Sequence, residues 1–464
     1  MKKSMIQFLI FAFVAVTIAV SFWACQPKAT ETVVAAPFSE VITPDWAKNA
    51  VIYEVNIRQF TPEGTFNAFA EHLPRLKNLG VDILWLMPIF PIGELNRKGG
   101  LGSYYSVRNY KAVNPEFGNL DDFKSLVDKA HELGFKVILD WVANHTSFDH
   151  AWATEHPEWY TRDDKGNIVS PFDWTDVADL NYDNNPELWA AMTDALKFWV
   201  SETQVDGYRC DVAGMVPVAF WEQARKELDS IKPVFMLAED EGQRDLMQRA
   251  FDANYAWEFH HIMNQIAKGE KNAADVWSYF AKEDTLFAPS SYRMMFTSNH
   301  DENSWNGTEF ERLGEGAKAF AVMTYTLPGF PLIYNGQETG LDRRLSFFEK
   351  DSIVWDANSE FAGFYANLNQ IKHDNKSLWN GSNGGTLMTV GTDKSGEILS
   401  FTREKDQNKL LVLINLTNNE QQFKLFETNL SGNYTNLLTN QPIQLTAQQQ
   451  MTLPIYGFMV LKAD

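Results

Sequence analysis

The chain is poor in cysteine: of its 464 residues, only Cys25 and Cys210 carry a thiol. A disulfide framework is therefore excluded, and the fold must be held by packing. Positive charge is also scarce, with 40 Lys and Arg against 60 Asp and Glu and a formal net charge of -20. Such a surface repels a phosphate backbone, which argues against a nucleic acid partner. Beyond the first 24 residues there is no long apolar run and no internal repeat, and low complexity is confined to Gln448-Gln449-Gln450. The remaining composition, 45% hydrophobic and 22% charged, is that of a globular protein, and the length accommodates a barrel-sized domain with an appendage. Aromatic residues make up 14% of the chain. Rings at that frequency can fill a core or line a polar cleft, and composition does not choose between them.

Lys2 and Lys3 precede an apolar stretch from Phe8 to Ala24 that only Thr17 and Ser21 interrupt. Charge followed by apolar residues is the layout of a secretion signal, and the stretch is about the shortest that could cross a hydrocarbon layer of roughly 30 Å. Cys25, followed by Gln26-Pro27-Lys28 and a Thr/Ala/Glu-rich segment, resembles a bacterial lipoprotein cleavage site. The expectation is a signal peptide over 1–24, a lipidated linker over 25–44, and an exported chain held in the cell envelope through Cys25 alone, its folded part soluble.

From Val51 onward, short apolar runs alternate with amphipathic stretches. Val51–Ile57, Val81–Pro88, Lys136–Trp141, Val205–Asp211, Val234–Glu239, Asn254–Trp257, Arg293–Asn299 and Pro331–Tyr334 read as eight strands. Between them, Leu120, Phe123, Leu126, Val127, Ala130 and Leu133 keep one apolar face and stop at Gly134. Eight strand–helix units predict an α/β fold, a closed parallel (β/α)8 barrel over 45–145 and 187–380, with its site at the carboxyl ends of the strands. Residues 146–186, rich in Asp, Asn, Trp and Pro, are too long for a plain connection and predict an excursion that roofs the site. Alternating runs after residue 380 predict a C-terminal antiparallel β-sandwich over 381–464.

Polar residues accumulate where these strands end: Asp140 to His145 after the third, Arg209-Cys210-Asp211 on the fourth, Glu239 on the fifth, and Asn299-His300-Asp301 on the seventh. Singly each has a bland reading as a cap or a loop ion pair. Jointly they place three carboxylates, an arginine and two histidines on one rim. Cys210 alternates with Arg209 and Asp211, so it is expected to face away from the barrel axis as a buried small residue.

These stretches, together with Gly80 to Pro88, Asp179-Leu180-Asn181 and Gly329 to Glu338, occur in the order that resembles the α-amylase family of glycoside hydrolases, from about Asp45 to the C-terminus. The resemblance implies Asp211 as nucleophile, Glu239 as general acid/base and Asp301 as a third carboxylate that binds sugar hydroxyls. It implies substrate binding by Tyr105, His145, Arg209 and His300, no organic cofactor, and Asn144 and Asp179 as ligands of a structural calcium ion, with a metal-free excursion held by hydrogen bonds as the alternative. A retaining reaction needs one charged and one protonated carboxyl. Arg209, two residues before Asp211 and on the same strand face, is expected to keep Asp211 ionised, while neighbouring carboxylates and burial raise Glu239. Trp152 and Trp174 in the excursion read equally as core or as sugar-stacking rings. Gly214 and Met215 stand where many family members carry Lys-His, and Asp240 where an aromatic ring is common. The expected activity is hydrolysis of α-glucosidic, mainly α-1,4, bonds in starch or maltodextrin. The alternatives are a transglycosylase, a sucrose- or trehalose-type isomerase, and a non-catalytic glycan-binding barrel. The oligomeric state is left open.

Overall fold

The computed structural model describes residues 37–356 and 358–464. The expected leader, Cys25 and residues 25–36 of the expected linker lie outside the described residues. Among those described, no helix is long and apolar enough to cross a membrane.

Eight parallel strands close a barrel: β1 (Ile52–Val55), β2 (Ile83–Leu86), β3 (Lys136–Trp141), β4 (Gly207–Cys210), β5 (Phe235–Ala238), β6 (Ala253–Tyr255), β7 (Tyr292–Met295) and β8 (Phe330–Tyr334). Each strand pairs with its sequence neighbour, and β8 pairs with β1. All eight expected strands are present, several of them shorter than the sequence suggested. Trp257, expected in the sixth strand, instead opens the helix Trp257–Ala267 and stacks on Tyr255 with ring centroids 5.3 Å apart. Likewise the seventh strand ends at Met295, and Ile57 begins a short helix.

Period-two alternation sorts the strand residues into two cores. Ile52, Ile83, Trp85, Ile138, Phe235, Leu237, Met294 and Leu332 pack inside the barrel. Leu84, Leu139, Tyr208, Cys210, Met236 and Ile333 belong to the outer layer under the helices, so Cys210 faces as expected and is a fully buried free thiol. The helix Leu120–Glu132 begins with a capping box, in which Asn119 accepts the Asp121 and Asp122 amides and the Asp122 carboxylate accepts the Asn119 amide. It terminates before Gly134, whose φ of +85° places it in the left-handed region that glycine tolerates.

At the amino end of the barrel an acid precedes each of three even-numbered strands. Asp82, Asp206 and Asp252 accept the backbone amides of Val51, Val137 and Met236 at 2.8, 2.9 and 2.8 Å. Each carboxylate also meets cationic or imidazole groups: His373 for Asp82, His131 and Lys232 for Asp206, and Arg225 for Asp252.

The excursion folds over the carboxyl end as a short antiparallel pair, His145–Ser147 with Val177–Asp179, plus a helical turn at Ala151–Glu155. The C-terminal domain is a six-stranded antiparallel sheet faced by the two-stranded pair Gln421–Lys424 and Gln450–Leu453. One face of the large sheet, with Leu411, Leu413 and Leu461, packs against Phe423, Met451 and Leu453 to form the sandwich. The other face, with Phe401, Leu410 and Val412, joins the core under the barrel helices. Arg403 reaches across to donate to the Thr326 carbonyl at 2.8 Å, at the end of the helix Ala317–Thr326, where a cation meets the helix dipole favourably.

Candidate active site

The site grows from the inward-facing row at the carboxyl end of the barrel. Arg209, the third residue of β4, points inward and is fully buried. Its Nη1 donates to Asp140 Oδ1 at 2.9 Å and to Asp211 Oδ1 at 3.2 Å, its Nη2 lies 2.7 Å from Glu239 Oε1, and its Nε donates to the Tyr255 hydroxyl at 3.1 Å. One planar guanidinium thus holds three carboxylates from three neighbouring strand ends, a task that a lysine point charge could not perform. Asp140, whose other oxygen accepts from Trp85 Nε1 at 3.1 Å and from the Tyr105 hydroxyl at 3.0 Å, is fully buried and ties Arg209 to the strand ends around it.

The turn after β4 is strained. Val212 adopts φ +37° and ψ +47°, a conformation that costs a β-branched residue on the order of 1–3 kcal/mol. Its amide is thereby aimed at Glu239 Oε2, 2.8 Å away. Next to it, a Cβ on Gly214 would fall 2.2 Å from Asp240 Oδ2. The two departures from the common family pattern, at 214 and 240, are therefore halves of one contact: the small residue leaves room for the acid.

Across the cleft, His300 stands between Glu54 and Asp301. Its Nδ1 is 2.5 Å from Glu54 Oε1, and its Nε2 is 2.8 Å from the Tyr105 hydroxyl and 3.3 Å from Asp301 Oδ2. Burial opposes a charge on this ring, but Asp301 and Glu54 on either side lift it to about 9. His145 has no such partners, and burial lowers it to about 3. The two histidines that the sequence treats alike therefore differ in charge near neutral pH.

Tyr105, His145, Asp211, Glu239, His300 and Asp301 all line one cavity of about 480 Å³. The expected electrostatic division is corrected by the geometry. Arg209 does not serve Asp211 alone but is shared with Asp140 and Glu239, and the contact to Glu239 is the shorter one. Burial and the neighbouring Glu239 push Asp211 upward against the guanidinium. Arg209 therefore does not by itself hold Asp211 in the charged form that the sequence suggested.

Trp174 lines the cavity, whereas Trp152 is half-buried away from it and packs against Trp159 at 5.2 Å. Asn144 and Asp179 do meet: His145 pairs with Asp179 in the short sheet, and the Leu180 amide donates to the Asn144 carbonyl at 3.0 Å. The Asn144 carboxamide nitrogen contacts the ring of His145 at 3.3 Å. As oxygen donors the two residues would supply two of the six to eight ligands that calcium takes.

Sequence reasoning missed Glu54, the Lys98–Asp176 ion pair (3.0 Å) at the cavity wall, and the aromatic group Trp305, Phe347 and Phe348. Only Glu54 left a signal, as a carboxylate on an inward-facing position of an apolar strand.

With this geometry in view, the catalytic-domain model of alpha amylase matches residues 41–385, and the C-terminal domain model of alpha-amylase SusG matches residues 398–460. The chain belongs to the alpha-amylase family of glycoside hydrolases. It is 28% identical to alpha-amylase MalA of Haloarcula japonica over 80% of this chain, and it spans 56% of that relative's length. Neopullulanase 2 of Thermoactinomyces vulgaris is 27% identical over 91% of this chain and 79% of its own. The crystal structure of an alpha-amylase from Lactobacillus plantarum superposes with a TM-score of 0.81 at 33% identity, covering 90% of this chain and all of that one. As a family member the chain has the acids at positions 211, 239 and 301 on one cavity, so the reading of a barrel that had lost its chemistry has no support in the site.

Proposed function

We propose that this glycoside hydrolase cleaves α-glucosidic bonds, mainly α-1,4, in starch, maltodextrin or related oligosaccharides, with retention of anomeric configuration. The observation that carries the reading is the single guanidinium of Arg209 flanked by Asp211 and Glu239, with Asp301 across the same cavity. Asp211, as carboxylate, attacks the anomeric carbon; the bond from that carbon to the leaving sugar oxygen breaks, and Glu239 gives the oxygen its proton. Glu239, now charged, takes a proton from water as the water attacks the same carbon and frees Asp211. The positive charge that develops on the sugar is stabilised by the carboxylates around it.

Trp174, Trp305 and Phe348 offer flat apolar faces to successive glucose units. The expected result is release of reducing sugar from soluble starch and maltoheptaose, with the α-anomer formed first by NMR. Products longer than maltoheptaose would indicate transfer to a sugar hydroxyl instead of water. Full activity in Asp211→Asn or Glu239→Gln protein would overturn the reading.

We further propose export and lipid tethering at Cys25, supported by the charged-then-apolar leader and the residues around that cysteine. Mass spectrometry of the membrane fraction should find a diacylglyceryl-modified Cys25, and Cys25→Ser protein should lose the modification.

A further inference from the structure

Glu54 is a fully buried acid in the middle of β1; burial pushes its carboxyl up, and His300 draws it down. Oε1 meets His300 Nδ1 at 2.5 Å, while Oε2, also buried, has no hydrogen-bond partner among the described residues. A carboxylate in such a place costs several kcal/mol unless it is offset by a positive charge, and the nearest cationic candidate is the imidazole of His300. The direction of the hydrogen bonds agrees. The Tyr105 hydroxyl spends its one proton on Asp140 Oδ2 at 3.0 Å, so at its 2.8 Å contact with His300 Nε2 it accepts. His300 must therefore carry hydrogen at Nε2, and at Nδ1 it faces a carboxylate.

We propose that Glu54 is a positioning residue of the glycosidic reaction: it fixes His300 as a doubly protonated ring whose Nε2–H is directed at Tyr105, Asp301 and the hydroxyls of the sugar under attack. The proposal rests on the hydrolytic reading above. The groups that face His300 are Glu54 from β1, the Tyr105 hydroxyl from the loop after β2, Asp140 from β3 through that hydroxyl, Arg209 from β4 and its own neighbour Asp301. Arg209 opposes the charge, whereas Glu54 and Asp301 favour it. Trp85 and Phe347 close the ring in, edge-on and tilted, with centroids 5.9 and 6.4 Å away. With the cation in place Asp301 keeps a charged partner, and the hydroxyl contacts of His300 are charge-assisted.

The test is 15N NMR of the full chain labelled at histidine, with His300 assigned by its loss in His300→Asn protein. In the unmodified protein both ring nitrogens should carry hydrogen from pH 6 to 8. In Glu54→Gln, which keeps an acceptor oxygen and removes the charge, the ring should titrate near the ordinary histidine value of about 6.5. On maltoheptaose, Glu54→Gln should lose about 10- to 100-fold in kcat/KM, the scale seen when a group orienting an imidazole is removed. The loss should fall mainly in kcat and grow from pH 6 to 8. In the His300→Asn background the same substitution should cost nothing further, because its effect runs through the ring.

A bare Nδ1 in the unmodified protein would overturn the proposal, and so would a ring that stays doubly protonated in Glu54→Gln, or equal losses with and without His300. The NMR arm needs no substrate, so it remains decisive for Glu54 even where the protein cleaves no α-glucan, a result that would sink only the hydrolytic reading.

Discussion

The two ends of the barrel both bury carboxylates, yet they balance them in opposite ways. At the amino end Asp206 and Asp252 each receive a backbone amide and cationic partners, so little charge is left over. At the carboxyl end Glu54, Asp140, Asp211, Glu239 and Asp301 stand against Arg209 and His300. A closed set of ion pairs holds strands together. An excess of negative charge around a cavity is unfavourable until something positive enters, and the transition state of glycoside cleavage is a positively charged sugar. The amino end is thus built to be finished without ligand and the carboxyl end to be finished by the reaction.

The sharpest way to break this comparison is to remove one carboxylate at each end. Asp211→Asn should lower kcat/KM on maltoheptaose on the order of 10⁶-fold, as expected for loss of a covalent nucleophile. Glu239→Gln should cost about 10²- to 10⁴-fold, the range of general acid–base catalysis. Asp252→Asn, at the far end, should leave kcat/KM of the folded protein within about twofold. A large activity loss in Asp252→Asn would mean that the two ends are not separate in function.

Stability should show the reverse order. Asp252→Asn leaves the buried Arg225 without its inner partner, and breaking such a pair costs 3–5 kcal/mol. Arg225 keeps Asp229 at 2.7 Å and the Ala250 carbonyl at 3.1 Å, so a loss of about 3 kcal/mol, the lower edge of that range, is expected in urea unfolding. A loss under about 1 kcal/mol would place this pair with ordinary surface bridges.

Much of this contrast was legible in the sequence, for reasons that differ by residue. The strands announced themselves as apolar runs, and period two placed Arg209 and Asp211 inward and Cys210 outward. Asp211 and Glu239 follow strands directly and Asp301 lies in the loop after the seventh strand, so barrel topology gathers them at one end. The sharing of Arg209 among three carboxylates was not legible, because it depends on the separation of neighbouring strand ends rather than on any spacing in the chain. Nor was the difference between His145 and His300, since both follow an Asn: His145 is buried without charged partners, while His300 meets Asp301 and Glu54, the latter 246 residues away. Trp257 was misread as strand because a helix start and a strand end can carry the same aromatic residues. The amino-end acids went unread as a set, since one Asp before an apolar run is a common cap, and only the register shows each reaching back to the preceding strand.

The histidines sharpen the comparison through pH. The folded value of His145 lies near 3, below the ordinary value of about 6.5, so the unfolded chain binds the extra proton as pH falls. His150, which burial lowers to about 4, acts in the same sense. Stability should therefore fall from about pH 6.5 downward, by up to about 1.4 kcal/mol per pH unit for each ring. His300 has the opposite sign: its folded value near 9 stabilises fully below about 6.5 and is lost as pH rises through 9. Urea midpoints measured from pH 4 to 10 should thus peak at about pH 6.5. His145→Asn should flatten the acid side, and an unchanged acid slope would show that His145 is charged in the folded state.

The smallest effect is the most telling about the catalytic end. Asp211 is buried beside Glu239, and Arg209, already engaged with Asp140 and Glu239, cannot fully offset it. Replacing it by Asn removes a like charge from the cluster, keeps the side-chain volume and leaves an oxygen for Arg209 Nη1. The inactive protein should therefore unfold at a higher temperature than the active one, with a gain of about 1 kcal/mol, within the range of single stabilising substitutions. The gain should grow as pH rises, because the folded cluster resists the charge on Asp211, and shrink in acid as the cluster takes up protons. Calorimetry of Asp211→Asn beside the unmodified protein at pH 5 and 8 measures it. A loss of stability at pH 8 would mean that the Arg209–Asp211 pair is a structural bridge like those at the amino end, and the distinction between the two ends would fail.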